Sequence, residues 1–241
     1  MNVSDRLTLL QLIAWAGGGA FVASLALCAW WYAVGLGSPL PGGGWTAVGA
    51  DALLVTIFAC HHSVFARDAV KRRLSIIPTP LMRSFYVWIA SALFAAIVLL
   101  WRPIGGVLYE APPPLSLPHA AVQLFGVWLI ARAAAGLDPL ELAGIRQASH
   151  SVPADERLQQ EEGLQVTGPY RWVRHPLYLG WMLALFGTAH LTGDRLAFAV
   201  LTSFYLVVAV PWEERSLRQS YGEEYDRYAA RVRWRIIPFV Y

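Results

Sequence analysis

The sequence predicts an all-α integral membrane bundle of five to six transmembrane helices, with a C-terminal helical hairpin and polar cytoplasmic segments. Of its 241 residues, 56% are hydrophobic and only 15% are charged, against about 25% in soluble domains. The mean hydropathy is +0.45. These values exclude intrinsic disorder, and a single soluble globule has too little interior for so many apolar side chains. Two cysteines exclude a disulfide framework or a four-cysteine zinc site.

Four long apolar stretches predict the first four membrane crossings, because a crossing helix needs about 20 apolar residues. They are residues 7–35, 45–66, 84–101 and 119–137, and their charged residues are Asp51 and Arg132. A signal peptide is the alternative for the first stretch. The stretch is too long for that and runs into Trp30, Trp31 and Tyr32, an aromatic set typical of a membrane interface. We therefore expect a retained helix.

Two shorter apolar stretches, residues 177–189 and 196–212, predict a hairpin whose first arm need not cross the bilayer fully. Residues 190–195 between them have the composition of a turn. The expected organisation is thus a set of N-terminal transmembrane helices in residues 1–137. Residues 138–241 then form one structural unit of cytoplasmic segments and the hairpin.

The basic residues predict the orientation. With the N-terminus inside and six alternating crossings, Arg102 and Arg195 are the only two of the 19 Lys and Arg residues that fall outside. This asymmetry places both termini in the cytoplasm, and we expect a bacterial inner membrane protein. It also accounts for the net charge of +3 and the pI of about 9 without a nucleic-acid partner.

The polar residues gather in two blocks, residues 138–175 and 213–241. Transporters and channels instead carry functional groups near the membrane midplane and in internal repeats. Because the two blocks flank the hairpin, we expect them to meet on the cytoplasmic face. That layout is typical of an enzyme that takes a soluble cofactor from one side and an acceptor from the membrane.

The end of the first block resembles a carboxylate-binding site. Pro176 can begin a helix, whose free N–H groups would lie beside Arg174 and His175. Glu213 and Glu214 open the second block and could accept hydrogen bonds from an amine or from ribose hydroxyls. Together they fit an amino-acid-bearing cofactor such as S-adenosylmethionine. The alternative is an interfacial Arg-His anchor and a solvated helix end.

At these positions the chain resembles the isoprenylcysteine carboxyl methyltransferase and phospholipid methyltransferase superfamily. The matching residues are Gly168, Tyr170, Arg174, His175, Pro176, Tyr178, Gly180, Glu213, Glu214, Leu217, Tyr221, Gly222, Tyr225, Tyr228, Arg235 and Pro238. The resemblance implies a multi-helix membrane enzyme that uses S-adenosylmethionine without a Rossmann domain, and no G-x-G-x-x-G occurs. It implies that the cofactor is held by Glu162, Gly163, Leu164, Gln165, Tyr170, His175, Pro176, Leu177, Tyr178 and Glu213.

The acceptor is less clearly indicated. Carboxyl methyltransferases of this group carry an arginine one turn before the Glu-Glu pair, whereas residues 207–212 here contain no base. Further blocks, which include His62, Tyr86 and Glu141, resemble the bacterial methanethiol S-methyltransferases and the NnrU-type membrane proteins. The first of these groups methylates a small thiol.

A thiol must lose its proton before it attacks a methyl group, since the thiolate is the nucleophile. His62, at the expected cytoplasmic end of the second helix, is the predicted base. Glu141 and Arg146 complete the predicted catalytic set, with Glu141 orienting the base. An interfacial histidine and a loop ion pair are the alternatives. The adjacent His61 and His62 point in different directions on a helix, so no metal site is expected.

The predicted function is therefore S-adenosylmethionine-dependent methylation of a small thiol or similarly lipophilic acceptor in the membrane. One alternative is methylation of a prenylcysteine carboxylate or a lipid amine. Another is a non-catalytic NnrU-type membrane protein of nitrogen-oxide metabolism. The expected partners are the acceptor and membrane lipid.

Overall fold

The computed structural model describes residues 3–38, 41–65, 81–136, 138–148 and 163–241. In chain order the helices are α1 (Val3–Trp30), α2 (Gly44–Phe65), α3 (Met82–Leu100), α4 (Pro113–Ala134), α5 (Pro139–Leu142), α6 (Ile145–Ala148), α7 (Pro176–Phe186), α8 (Gly193–Tyr221) and α9 (Glu223–Arg231). The strands are β1 (Val107–Glu110) and β2 (His190–Thr192). A π-helix, Trp31–Gly35, extends α1, and a 3-10 turn, Gly168–Arg171, precedes α7.

The predicted all-α membrane bundle is confirmed. Five described helices are long and apolar enough to cross a membrane: Thr8–Gly35, Gly44–Phe65, Met82–Leu100, Pro113–Ala134 and Gly193–Tyr221. The short arm of the predicted hairpin is α7, whose 11 residues extend over about 16 Å, roughly half of a hydrocarbon core. Helix α4 begins at Pro113, six residues before the predicted start, because proline is well tolerated at the first positions of a helix.

The chain folds into two compact units, and the first contains α1, α2, α3, α5 and α6. Ala14 of α1 packs on Ala143 and Ile145 in a small buried cluster. The hydroxyl of Ser84 donates to the carbonyl of Gly144 at 3.1 Å. Gly144 has a φ of 77°, and a Cβ there would lie 2.6 Å from the Ser84 nitrogen, so this close approach requires glycine.

Asp51, to which the sequence assigned no role, has a structural one within this unit. Its side chain is fully buried in α2, and Oδ1 accepts the backbone N–H of Arg102 at 2.9 Å. Since a buried carboxylate needs such a donor, this bond ties the residues after α3 to α2.

The second unit contains α4, α7, α8, α9 and both strands. Helices α4 and α7 approach each other at Gly126 and Gly180. A Cβ on Gly126 would lie 2.6 Å from the Gly180 carbonyl oxygen, and one on Gly180 would lie 2.7 Å from the Gly126 carbonyl oxygen. Gln123 adds a side-chain hydrogen bond to the Ala184 carbonyl at 2.9 Å.

The predicted turn at residues 190–195 is instead a short strand followed by a helix cap. Strand β2 pairs antiparallel with β1, with His190 opposite Glu110. The hydroxyl of Thr192 then accepts the N–H of Arg195 and caps α8. The prediction was wrong here because the pairing partner, β1, lies about 80 residues earlier and leaves no local signal.

Candidate functional site

The predicted cofactor residues His175, Glu213 and Glu214 lie together in the second unit. Buried Pro169 fixes the 3-10 turn that leads into the site, and α7 begins at Pro176 with His175 as its N-cap. Near its end, α8 brings both glutamates against the start of α7. The site therefore joins a helix start with the far end of a membrane helix.

Glu214 is the centre of a buried ion-pair cluster. Its side chain is 2% exposed, and its carboxylate lies 2.7 Å from Nε of Arg174 and 3.2 Å from Nε of Arg235. Nη1 of Arg174 also donates to the carbonyls of Val232 at 2.8 Å and Arg233 at 3.0 Å. These bonds engage the Arg174 guanidinium in holding the segment after α9 in place.

Glu213 has a different environment, with its side chain 40% exposed. The Tyr178 hydroxyl donates to one of its oxygens, and Nδ1 of His175 lies 3.4 Å from the other. Burial acts to lower the pKa of His175, but hydrogen bonding to both glutamates and their charge outweigh it. The pKa of His175 is therefore raised above its ordinary 6.5, which favours a protonated ring.

Buried tyrosines form the wall of the site. Tyr225 and Tyr228 pack edge to face in a cluster with Val232, and the Tyr228 hydroxyl donates to the carbonyl of Tyr170 at 2.8 Å. Burial raises the pKa of Tyr170, and it raises that of Tyr225 to about 12, so both stay neutral. The Tyr225 hydroxyl has no hydrogen-bond partner among the residues that the structure describes.

Three of the four predicted cofactor residues before the turn are described. Leu164 packs against the tyrosine cluster. Gln165 lies against Gly136, where a Cβ would come within 2.6 Å of its amide nitrogen. Gly163 is exposed. Glu162 lies outside the described residues.

The predicted catalytic residues lie in the first unit. Nδ1 of His62 is 2.6 Å from the Tyr86 hydroxyl, and Phe58 stacks on the His62 ring at 5.6 Å. Glu141 is exposed. Arg146 pairs with Asp138. Burial acts to raise the pKa of Asp138, but the Leu140 N–H and the Arg146 charge lower it overall.

His61, the neighbour of His62, is buried between aromatic rings. Its ring lies 4.8 Å from Phe65 and 5.3 Å from Tyr86, and neither nitrogen has a hydrogen-bond partner within the described part of the chain. No group of three His, Cys, Asp or Glu among the described residues is arranged to hold a metal ion.

Comparison with known proteins identifies the relatives of this site. The family model for phospholipid methyltransferases matches residues 153–224, which include His175 and both glutamates. Methanethiol S-methyltransferase 2 of Bradyrhizobium diazoefficiens is 34% identical over 83% of this chain and 76% of its own length. The chain belongs to the methanethiol S-methyltransferase family. No solved structure matches it significantly.

For other relatives, the chain covers a smaller share of the relative's own length. Methanethiol S-methyltransferase 1 of the same organism is 32% identical over 77% of the chain, which spans 65% of that protein. Nurim of Xenopus laevis is 28% identical over 66% of the chain and 58% of its own length. The family membership confirms the predicted superfamily and implies a methyl donor.

Two parts of the motif, the tyrosine pair of α9 and Arg235, have a role in the site that was not predicted from the sequence. Tyr225 and Tyr228 are three residues apart, which places them on one face of a helix, and this spacing could have indicated the tyrosine wall. Arg235 gave no such signal, because its partner Glu214 lies 21 residues away across a helix boundary.

Proposed function

We propose that this protein transfers a methyl group from S-adenosylmethionine to a small thiol of the methanethiol type. The single observation that carries the donor assignment is Glu213, a partly exposed carboxylate held between the Tyr178 hydroxyl and the His175 ring. The acceptor assignment is supported by the relatives, whose names specify methanethiol.

The residues of the cluster fit the donor's chemistry. A carboxylate such as Glu213 accepts hydrogen bonds from ribose hydroxyls or from an ammonium group. His175, whose raised pKa favours the protonated ring, would hold Glu213 and Glu214 in position. The free N–H groups at the start of α7, where the helix dipole favours an anion, would receive the donor's carboxylate. When bound, S-adenosylmethionine supplies an electrophilic methyl group on a sulfonium. Glu214, Arg174 and Arg235 would hold the cluster in shape.

The acceptor needs only a base and a water-poor path. The thiol loses its proton to His62, and the contact with the Tyr86 hydroxyl orients the His62 ring. The thiolate sulfur then forms a bond to the methyl carbon as the carbon–sulfonium bond breaks in line. The products are a thioether and S-adenosylhomocysteine, with the proton left on the base. Position and desolvation of the thiolate supply most of the rate.

A carboxylate acceptor is disfavoured by the apolar turn before Glu213. Val210 is fully buried there, and residues 207–212 contain no cation to receive a carboxylate. An unpaired buried carboxylate would weaken binding by several kcal/mol. Prenylcysteine carboxylates are therefore the weaker candidates, and lipid amines and the non-catalytic alternative are decided by assay.

The protein is an integral membrane protein, and we propose that its site faces the cytoplasm of a bacterial inner membrane. The uneven distribution of Lys and Arg supports this orientation. A reporter fused after Tyr241 should read cytoplasmic, and one inserted near Pro113 should read outside. The opposite result at Tyr241 would overturn the orientation.

The direct test uses purified protein with methyl-labelled S-adenosylmethionine and a panel of small thiols, prenylcysteines and lipid amines. We expect labelled dimethyl sulfide from methanethiol, with slower turnover of the other classes. Preference for a prenylcysteine over every thiol would refute the acceptor. S-adenosylhomocysteine binding without turnover of any acceptor would refute the reaction but retain the donor site.

A further inference from the structure

The segment that follows the Glu214 cluster ends in an exposed apolar turn, here called the apolar tip (residues 237–240). Phe239 is 85% exposed and Val240 is 75% exposed. Phe239 also has a φ of 65°, the only positive φ of a non-glycine residue in the described ranges. A bulky side chain is strained in this left-handed region. In water, the tip would thus combine backbone strain with exposed apolar surface.

The tip is nevertheless firmly held. The carbonyl of Tyr241 accepts backbone N–H groups from Arg235 and Ile236 at 2.9 Å and from Ile237 at 3.1 Å. The N–H of Tyr241 donates back to the Ile237 carbonyl at 3.0 Å. Ile236 is fully buried beneath the turn. These bonds hold the turn that contains the exposed Phe239.

The tip continues an apolar surface of the membrane helices. Ile237 lines a groove of about 570 Å³ together with Leu179 and Met182 of α7. Leu115 of α4, a helix long and apolar enough to cross the bilayer, also lines this groove. Leu115 is 56% exposed, as expected for a side chain that contacts lipid. The surface that the tip extends is therefore a hydrocarbon-facing one.

We propose that residues 237–240 insert into the bilayer at the membrane face that carries the His175 cluster, with lipid acyl chains as the partner. Aromatic and branched apolar side chains partition favourably from water into the interfacial part of the bilayer, and their burial there offsets the backbone strain at Phe239. A second copy of the chain is a less suitable partner, because the tip is small and adjoins lipid-facing helices.

Insertion would link the bilayer to the candidate site. The carbonyls of Trp234 and Arg235 accept the backbone N–H groups of Arg174 at 2.9 Å and His175 at 2.7 Å. The Phe239 ring also lies 5.4 Å from the Trp234 ring. An anchored tip would thus hold residues 234–235 against the start of α7.

The test places an environment-sensitive fluorophore on the tip of the full chain in lipid nanodiscs. Exposed Cys60 is replaced by serine in every variant. The protein that carries Cys60→Ser alone checks that buried Cys28 stays unlabelled. The fluorophore is attached in Phe239→Cys and Val240→Cys. The matched control is Arg227→Cys on the exposed side of α9. Quenching is measured with lipids that carry a nitroxide near the headgroup.

We expect blue-shifted emission and several-fold stronger quenching at residues 239 and 240 than at residue 227. Equal, weak quenching at all three positions would overturn the proposal. A blue shift that appears without lipid quenching and grows with protein density would also overturn it, in favour of contact between copies. Because no cofactor is needed, the outcome is independent of the proposed methyl transfer.

Discussion

Glu213 and Glu214 are adjacent in sequence, yet the structure predicts that loss of Glu214 lowers stability whereas loss of Glu213 weakens donor binding. In Glu214→Gln, the buried Arg174 guanidinium loses the charge 2.7 Å from its Nε, and Arg235 loses its partner at 3.2 Å. Breaking a buried ion pair from one side lowers the free energy of unfolding by about 3–5 kcal/mol. For a chain of this length that corresponds to a fall in Tm of about 6–20 °C.

Glu213→Gln should leave the fold nearly intact. Its side chain is 40% exposed, so solvent screens its interaction with His175, and the change in stability should stay below about 1 kcal/mol. If Glu213 contacts the donor, the substitution removes a charged acceptor. S-adenosylhomocysteine should then bind about 1–3 kcal/mol more weakly, a loss of roughly 5- to 150-fold.

The assay is thermal unfolding of both variants in one detergent, followed by calorimetric titration with S-adenosylhomocysteine. The two substitutions are the same chemical change one residue apart, so each is the control for the other. Equal losses of Tm would refute the assignment of Glu214 as the structural hub. Unchanged affinity in Glu213→Gln would remove Glu213 from the donor site.

Three further predictions follow from single contacts. The folded pKa of His175 is raised above 6.5, so the protonated ring should stabilise the fold fully below pH 6.5, and this stabilisation should disappear as the pH rises through the folded pKa. The free energy of unfolding measured as a function of pH should show this slope, and His175→Gln should remove the slope. His62→Ala should lower thiol turnover at neutral pH by about 10²- to 10⁴-fold with donor affinity retained, and recovery at high pH would support a base, whereas normal turnover would exclude one. Gly144→Ala should lower Tm more than Gly106→Ala, since both have positive φ but only the former meets a backbone atom, at 2.6 Å; equal shifts would indicate that strain alone acts.

Much of the membrane architecture could be predicted from the sequence because helix length and hydropathy are local properties. The third apolar stretch, residues 84–101, differs from the observed Met82–Leu100 by two residues at one end and one at the other. The strand His190–Thr192 could not be predicted in this way, since its three residues form a strand only because β1 supplies the pairing partner.

The candidate site shows the same division. The motif around His175 and the Glu-Glu pair indicated which residues would meet, and the structure brings them together. It could not show that Arg174 is engaged by Glu214 and two carbonyls, because that depends on where the chain returns after α9. Likewise, the partner of Arg146 is Asp138, eight residues earlier, a choice set by the geometry of two short helices.

The close contact between Gly126 and Gly180 fixes the position of helix α7, and with it the position of the site residues that α7 carries. Any side chain on Gly126 would need at least an ordinary van der Waals separation, so α7 would have to shift by about 1 Å from the present 2.6 Å approach. A helix moves as a rod, and Tyr178 lies only two residues from Gly180. A displacement of that size at a reacting centre can cost about 10²-fold in rate. Two hydrogen atoms in place of side chains would thus set the alignment of the proposed donor site.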